Sequence, residues 1–550
     1  MHNTTNKQFS RFITLTLLLT SLSITGYAAP SIAENEAKVK ELAGAKKDVR
    51  VENKLGVSDV QGKSVFKINN VKIDTELKLK AGAVRSIIKP YEGQTLGMEQ
   101  LNELANKLTG YCRSQGFPAA TAYVPEQKIK DRIVTIGIIP GRIGKINIEN
   151  KSKLSDSTIR MLTSRLKSGK IMTTKQVETV LYSLNDLGGI SAVGVLSPGL
   201  DTGTSDVTVK VADGKVSNTI LYAENYGTHA AGRYRYGLTE DLFNIDRQGG
   251  HLNAGVLISN HDLHNYTISY ERPLGHSATT LGIGFSRMDY ELGGVFSNLD
   301  ANGISNTYSI YGSTPLWKKT SGSMRVTYGY DYKKLTDNLD KYTNMNADKH
   351  SHAIYLGLAG QNRNNCSVST YSLTGYTGMV GMDSDYANYL NSYNNTEGRW
   401  SKVVLDGSHV HKLDKSGNLD LYIRFQGQKA SRNLDSSEKL FLGGANGVRA
   451  YPQGEGSGDE GVLASAEVRY HTKVSGLTFS VYLDGGHVNT NKDGSGGNET
   501  LKGWGIGVTY AQPSNYFMRF DYARRIGLDD QCGADSKAKQ RMWFLVGKIW

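Results

Sequence analysis

The side chain whose setting most suggests directed chemistry is Arg449. It lies in residues 441–461, where repeated glycines and Pro452 forbid a helix or a regular ladder. A loop this specific in composition must hold its arginine in place. Guanidinium is permanently charged and planar, and it can grip a carboxylate at two points, so in a confined space it fixes a loop that lysine would leave mobile. Asp459 and Glu460 stand close by in sequence, and Asp484 follows in Tyr482-Leu483-Asp484-Gly485-Gly486. A surface pair with either of the first two would contribute little. Strand alternation puts Val481 and Leu483 on one face and Tyr482 and Asp484 on the opposite, polar face. All three carboxylates stand as alternatives at this level.

Other chemistry is sparse. His350 with His352, and His409 with His411, could each place two imidazoles on one strand face, but no Cys or carboxylate cluster stands at metal-ligand spacing. There is no phosphate-binding Walker loop, zinc-protease helix or serine-hydrolase elbow, so neither an enzyme nor a cofactor is expected. Cys112, Cys366 and Cys532 are too few and too scattered for a disulfide scaffold. The formal charge of +12 comes from dispersed basic residues without aromatic interleaving, which argues against nucleic acid as a partner.

The elements that must carry this loop follow from the rest of the chain. Residues 1–33 read as a secretory signal: Lys7 and Arg11 precede an apolar stretch, and small residues offer cleavage after Ala28, Ala29 or Ala33. Residues 34–63 are highly charged, with only Ala37, Leu42 and Ala45 as an apolar stripe. They predict a short polar helix and a linker, a helix stable only when surrounded. The exported chain has no run of eighteen apolar residues, so a membrane span must be a closed β-barrel.

Residues 64–141 predict a β-α-α-β-β module with a strand at 65–73, a helix at 98–115 and strands at 121–124 and 132–139. Met98, Leu101, Leu104, Leu108, Tyr111 and Cys112 share one helix side, Gly116 stops it, and Cys112 is a buried small hydrophobe. Residues 142–215 repeat the order, with strands at 142–150, 192–196 and 206–211 and helices at 157–166 and 173–187. The second of those helices carries a Thr173/Gln176 capping box.

From 216 to 550, period-two alternation dominates, as in Tyr266/Ile268/Tyr270, Met324/Val326/Tyr328/Tyr330 and Trp504/Ile506/Val508/Tyr510. At roughly twenty residues per strand and turn, this segment predicts about sixteen strands of about ten residues. The fold class is therefore α+β domains followed by a transmembrane antiparallel β-barrel, with 62 Gly and 31 Tyr in keeping.

The 441–461 loop resembles the sixth surface loop of the Omp85 and two-partner-secretion transporters. Gly116-Phe117-Pro118-Ala119-Ala120-Thr121-Ala122-Tyr123-Val124-Pro125-Glu126-Gln127, followed by Val134-Thr135-Ile136, resembles the first POTRA domain of the latter. The ending Met542-Trp543-Phe544-Leu545-Val546-Gly547-Lys548-Ile549-Trp550 is similar to an outer-membrane insertion signal, with Lys548 where that signal usually has an apolar residue.

The resemblance implies an outer-membrane transporter with two periplasmic POTRA domains, a barrel at 216–550 and loop six at 442–461. Gly447, Val448, Arg449, Tyr451 and Asp484 would form the channel loop, with Arg449 meeting Asp484 on the inner wall. Ala450 departs from the family's glycine. The charged N-terminal helix would plug the resting pore, and an unfolded client would add as a strand near Ala119, Thr121 and Tyr123. The implied partners are a secreted β-helical exoprotein of adhesin or haemolysin type, outer-membrane lipids and the barrel-assembly machinery, around a monomeric transporter. The alternatives are an Omp85 insertase or a porin-like channel.

Overall fold

The computed structural model describes residues 52–53, 65–512, 515–527 and 538–550. The signal, the plug helix and Cys532 lie outside the described residues. In the first module, Asn70–Asp74 pairs in parallel with Ile133–Ile139, which pairs antiparallel with Thr121–Tyr123. The single strand expected at 65–73 is two strands. The chain turns at the buried Ile68, so that Val65–Lys67 can pair separately with Thr95–Gly97. Helices Ala81–Ile88 and Met98–Ser114 cover the sheet, and Leu101, Leu104, Leu108 and Cys112 pack on Val134 and Ile136. The second helix stops where Gly116 takes φ +93 and the Phe117 amide donates to the Cys112 carbonyl at 3.1 Å.

Burial raises the Cys112 thiol pKa and leaves the side chain no exposure, whereas Cys366 lies in the open. Thiolate is the reactive form, so at pH 8 a maleimide should label Cys366 rapidly and Cys112 only after denaturant is added. Equal rates in the folded protein would contradict this packing.

The second module combines Arg142–Lys151, Ile190–Pro198 and Thr204–Asp213 in one sheet, with Glu52–Asn53 added in parallel against Val195 and Leu196. Helices Asp156–Thr163 and Thr174–Asn185 pack on it. Thr173 caps the latter: its hydroxyl accepts from the Gln176 amide at 3.3 Å, while Gln176 Oε1 accepts from the Thr173 amide at 3.1 Å. Thr173→Ala should lower the stability of this module by about 1 kcal/mol, read as a shifted denaturant midpoint at unchanged slope. An unmoved midpoint would show the cap to be idle.

The modules are joined to each other and to the barrel. Arg142 Nη2 donates to both oxygens of Glu76 at 2.7 and 2.8 Å, and the Thr174 amide donates to the Gly116 carbonyl. Below the barrel, Tyr182 bonds Thr320, Lys318 pairs with Asp186, and the Ser155 amide donates to the Arg247 carbonyl. Gly188, at φ +67, lets Phe243 lie on the module, because a Cβ there would stand 2.4 Å from the ring.

Sixteen antiparallel strands close into the barrel. Numbered from one (Ser217–Glu224) to sixteen (Gln540–Ile549), they pair with their sequence neighbours. Residues 220–224 of strand one pair with 545–549 of strand sixteen to shut the ring. Alternation sets the faces: Ile283, Ile310, Leu356, Val481, Leu483 and Ile506 point outward. No helix among the described residues is long and apolar enough to cross a membrane.

Strands six to ten run fifteen to nineteen residues, longer than the expected ten. Some ten residues cover the apolar band, and the remainder raises the wall on the side away from the modules. A helix absent from the sequence reading, Asp385–Asn394, sits between strands nine and ten, capped by Ser384. Lys548 faces outward, with its ammonium 5.1 and 4.8 Å from the Tyr516 and Trp550 ring centres. A long stem with a charged tip suits that aromatic rim, which accounts for its place in the terminal strand.

Candidate functional site: an arginine loop locked inside the barrel

The segment between strand eleven (Leu419–Ala430) and strand twelve (Glu460–His471) folds back into the lumen. It contains a small ladder after all: Leu440–Phe441 pairs with Ser457–Gly458. Within it, the Leu442 amide donates to the Gly456 carbonyl at 2.8 Å and the Val448 amide to the Leu442 carbonyl at 2.7 Å. Leu442, Val448, Ala450 and Tyr451 are fully buried and share an apolar cluster with Leu463, Tyr482, Val488 and Leu501 of the wall. The loop is thus a packed element whose tip carries Arg449.

Arg449 meets Asp484, of strand thirteen (Leu477–Asn489), through two parallel charge-assisted bonds: Nε to Oδ2 at 2.8 Å and Nη2 to Oδ1 at 2.7 Å. The Arg449 backbone amide adds a third at 3.1 Å. Nη1 donates to Glu467 at 2.7 Å and to Asp521 at 3.3 Å, and Nη2 to Ser465 at 3.0 Å. The guanidinium carbon sits 3.2 Å from the centre of the Tyr482 ring. From strand sixteen, Trp543 Nε1 donates to the Arg449 carbonyl at 2.7 Å. Arg449 and Asp484 are 2% and 4% exposed. All these partners come from strands twelve to sixteen.

Arg449, Arg469 and Arg519 face Glu467, Asp484 and Asp521 in one buried cluster, so three positive groups match three negative ones. Arg469 chelates Glu467 and stacks on Tyr422, while Arg519 holds Asp521. Burying so many charges is tolerable only because each is paired and hydrogen-bonded. The arrangement can fix a peptide loop in a polar lumen.

The rival carboxylates do other work. Asp459 is fully buried, accepting from the Leu434 amide at 3.1 Å and the Lys492 amide at 2.7 Å, and Glu460 pairs with Lys492. Gly447 and Val448 form the bend before Arg449, and Tyr451 packs under the Arg525 guanidinium at 4.2 Å. Ala450 is not a loose point: its methyl fills space left by Gly503 of strand fourteen (Asn498–Ala511), where a Cβ would come within 2.7 Å of it.

Glu467, Asp521, Arg519 and Trp543 escaped the sequence reading. Their signal was the same alternation that singled out Asp484, since each stands in the inward phase of a strand whose neighbours face out.

Elsewhere the expected sites are less open. Thr121–Tyr123 is an edge strand, but the Ala122 amide already donates to Thr109 Oγ1 at 2.8 Å. Ala119 is buried against Gly141 where the two modules meet, which removes it from that edge. Tyr123 is exposed and Thr121 half-buried. His350 bonds Asp383, His352 bonds Tyr330 and His409 bonds Ser369, and the described residues contain no metal-holding group of ligands.

A closed barrel, an α/β module stack on one rim and a lumenal arginine loop fit the class of outer-membrane transporters built from a barrel and periplasmic modules. The chain belongs to the haemolysin secretion/activation protein family ShlB/FhaC/HecB, whose profile matches residues 203–510, and the ShlB-type POTRA domain matches residues 66–141. A heme/hemopexin transporter protein, HuxB of Haemophilus influenzae, is 26% identical over 407 residues, covering 73% of this chain and 72% of its own. The outer membrane transporter CdiB of Dickeya dadantii is 22% identical, covering 76% of each chain. Among solved structures, CdiB from Escherichia coli shares the fold, with a TM-score of 0.72 and 18% identity over 94% of this chain and 96% of its own. The barrel therefore lies in the outer membrane, with its modules in the periplasm, and serves the export of a partner protein.

Proposed function

We propose that this transporter takes an unfolded exoprotein from the periplasm, threads it through the barrel and releases it outside, with the Arg449 loop as the channel element that the cargo must pass. The observation that carries this reading is the loop itself, packed inside the lumen and bonded to strands twelve to sixteen. A pore meant only for small solutes has no use for tandem modules clamped beneath its mouth.

The cargo is of the large β-helical kind, adhesin- or haemolysin-like, and its activation could accompany passage. The transporter works as a monomer in outer-membrane lipid, inserted by the barrel-assembly machinery. Client capture falls to the modules. Thr121 and Tyr123 offer side-chain contacts on the first module's edge, while the Ala122 amide is already committed to Thr109. No reaction chemistry is assigned to the chain.

Deletion of residues 64–215 should abolish cargo release while the purified barrel still conducts ions in planar bilayers. Continued secretion by the deleted form would overturn the reading.

A further inference from the structure

The loop's other end carries a second buried ion cluster. Asp435 and Glu438 bracket the single turn Ser436–Glu438, between strand eleven and the loop tip, and each is 5% exposed. Glu438 receives Lys333 Nζ on Oε1 at 2.6 Å and Lys402 Nζ on Oε2 at 2.9 Å. Its carbonyl accepts again from Lys402 at 2.7 Å and from Gln428 at 2.9 Å. Asp435 receives Lys349 Nζ at 2.8 Å, with Asp337 3.9 Å from the same ammonium. Lys402 also lies over the Tyr376 and Trp400 rings, at 5.4 and 5.8 Å from their centres. These contacts satisfy both carboxylates without any help from the arginine cluster.

The lysines come from strands seven (Gly322–Leu339), eight (Asn346–Arg363) and ten (Gly398–Lys412). In a closed ring of sixteen, strand seven stands opposite strand fifteen, and strand eight opposite strand sixteen. Glu438 is held by strand seven, while Arg449 reaches Asp521 on strand fifteen. Asp435 is held by strand eight, while the Arg449 carbonyl receives Trp543 from strand sixteen. The Glu438 backbone itself lies against strand eleven, its carbonyl and that of Asp459 both accepting from Gln428 Nε2 at 2.9 and 3.2 Å, so it is the lysine side chains that carry the loop's bonds to the facing wall.

We propose that Asp435 and Glu438 form a second anchor for the loop, and that the loop obstructs the channel only while both ends are held. The proposal rests on reading the loop as a channel element, and it adds positioning residues on the wall away from Arg449. The arginine cluster bonds the loop to strands twelve to sixteen alone; the lysine cluster ties it to strands seven, eight and ten as well. Freeing either end should then open the pore, even with the other end intact.

The test uses the full-length protein in planar bilayers, with barrel closure checked by heat-modifiable gel mobility. D435N/E438Q keeps side-chain shape while removing both charges, and its mean conductance should rise at least about twofold, as should that of R449A. E460Q, whose carboxylate pairs with Lys492 outside this cluster, should match the unsubstituted protein. Unchanged conductance in D435N/E438Q, alongside a rise in R449A, overturns the second anchor alone. Unchanged conductance in both overturns the channel-loop reading as well. If D435N/E438Q does not insert, K402M removes one of Glu438's two ammonium partners and is judged by the same rise, with unaltered conductance counting against the proposal.

Discussion

Arg449→Ala will cut secretion of the partner protein at least about tenfold while the barrel continues to assemble and shift on heating in gels. The reason is charge accounting in a buried space. Without the guanidinium, Glu467, Asp484 and Asp521 are left with Arg469 and Arg519, and Asp484 loses its bidentate partner. Stripping one member from a buried ion cluster costs about 3–5 kcal/mol, and about 1.4 kcal/mol already shifts an equilibrium tenfold. The loss falls on the loop, because the strands keep their own ladders. Asp484→Asn should act in the same direction by giving up the charge on the receiving side. Arg449→Lys should do little better than alanine, since an ammonium cannot span Oδ1 and Oδ2 while stacking on Tyr482. Secretion undiminished in both the alanine and asparagine variants would remove the loop from the mechanism.

The second large effect is expected at a glycine that carries no functional group. Gly503→Ala would set a methyl 2.7 Å from the Ala450 Cβ, with the strand backbone on the other side at 3.3 Å. Neither neighbour is the flexible end of a long chain, so the loop tip must shift, and overpacking of this kind costs about 1–3 kcal/mol. Secretion should fall several-fold, and Ala450→Gly in the same chain should return it to within about twofold of normal, since tenfold corresponds to about 1.4 kcal/mol and the clash would be gone. A double variant as defective as the single one would show that the defect lies in strand fourteen and not in the contact between loop and wall.

What could be read from the sequence divides along physical lines. Alternation is local, so the outward Val481 and Leu483 and the inward Tyr482 and Asp484 were legible residue by residue. So was the Thr173 cap, which depends on neighbours three positions apart. Contacts set by register across the barrel were not. Glu467 stands beside Tyr482 and Ser465 beside Asp484 because strands twelve and thirteen pair as they do, and a single strand's pattern does not contain that. Gly503, Gly505 and Gly507 were visible as a period-two run. Their meaning appears only when Ala450 of the loop tip is found over Gly503, Tyr482 over Gly505 and the Asp521 carboxylate over Gly507. Strand length was misjudged because the membrane sets a minimum and the raised wall adds to it. The split at Ile68 and the closed-off amide of Ala122 are tertiary decisions, one by a second small sheet and the other by Thr109.

Trp543 belongs to the final strand, and its indole holds the Arg449 carbonyl. The lock is therefore built across one run of neighbouring strands, from twelve to sixteen. Trp543 stands directly opposite Asp521, so strand sixteen reaches the Arg449 carbonyl by pairing with strand fifteen, while the ring is shut separately where it pairs with strand one. The latch thus needs only the neighbouring strands twelve to sixteen, and the loop can lock before the seam between strands sixteen and one is shut.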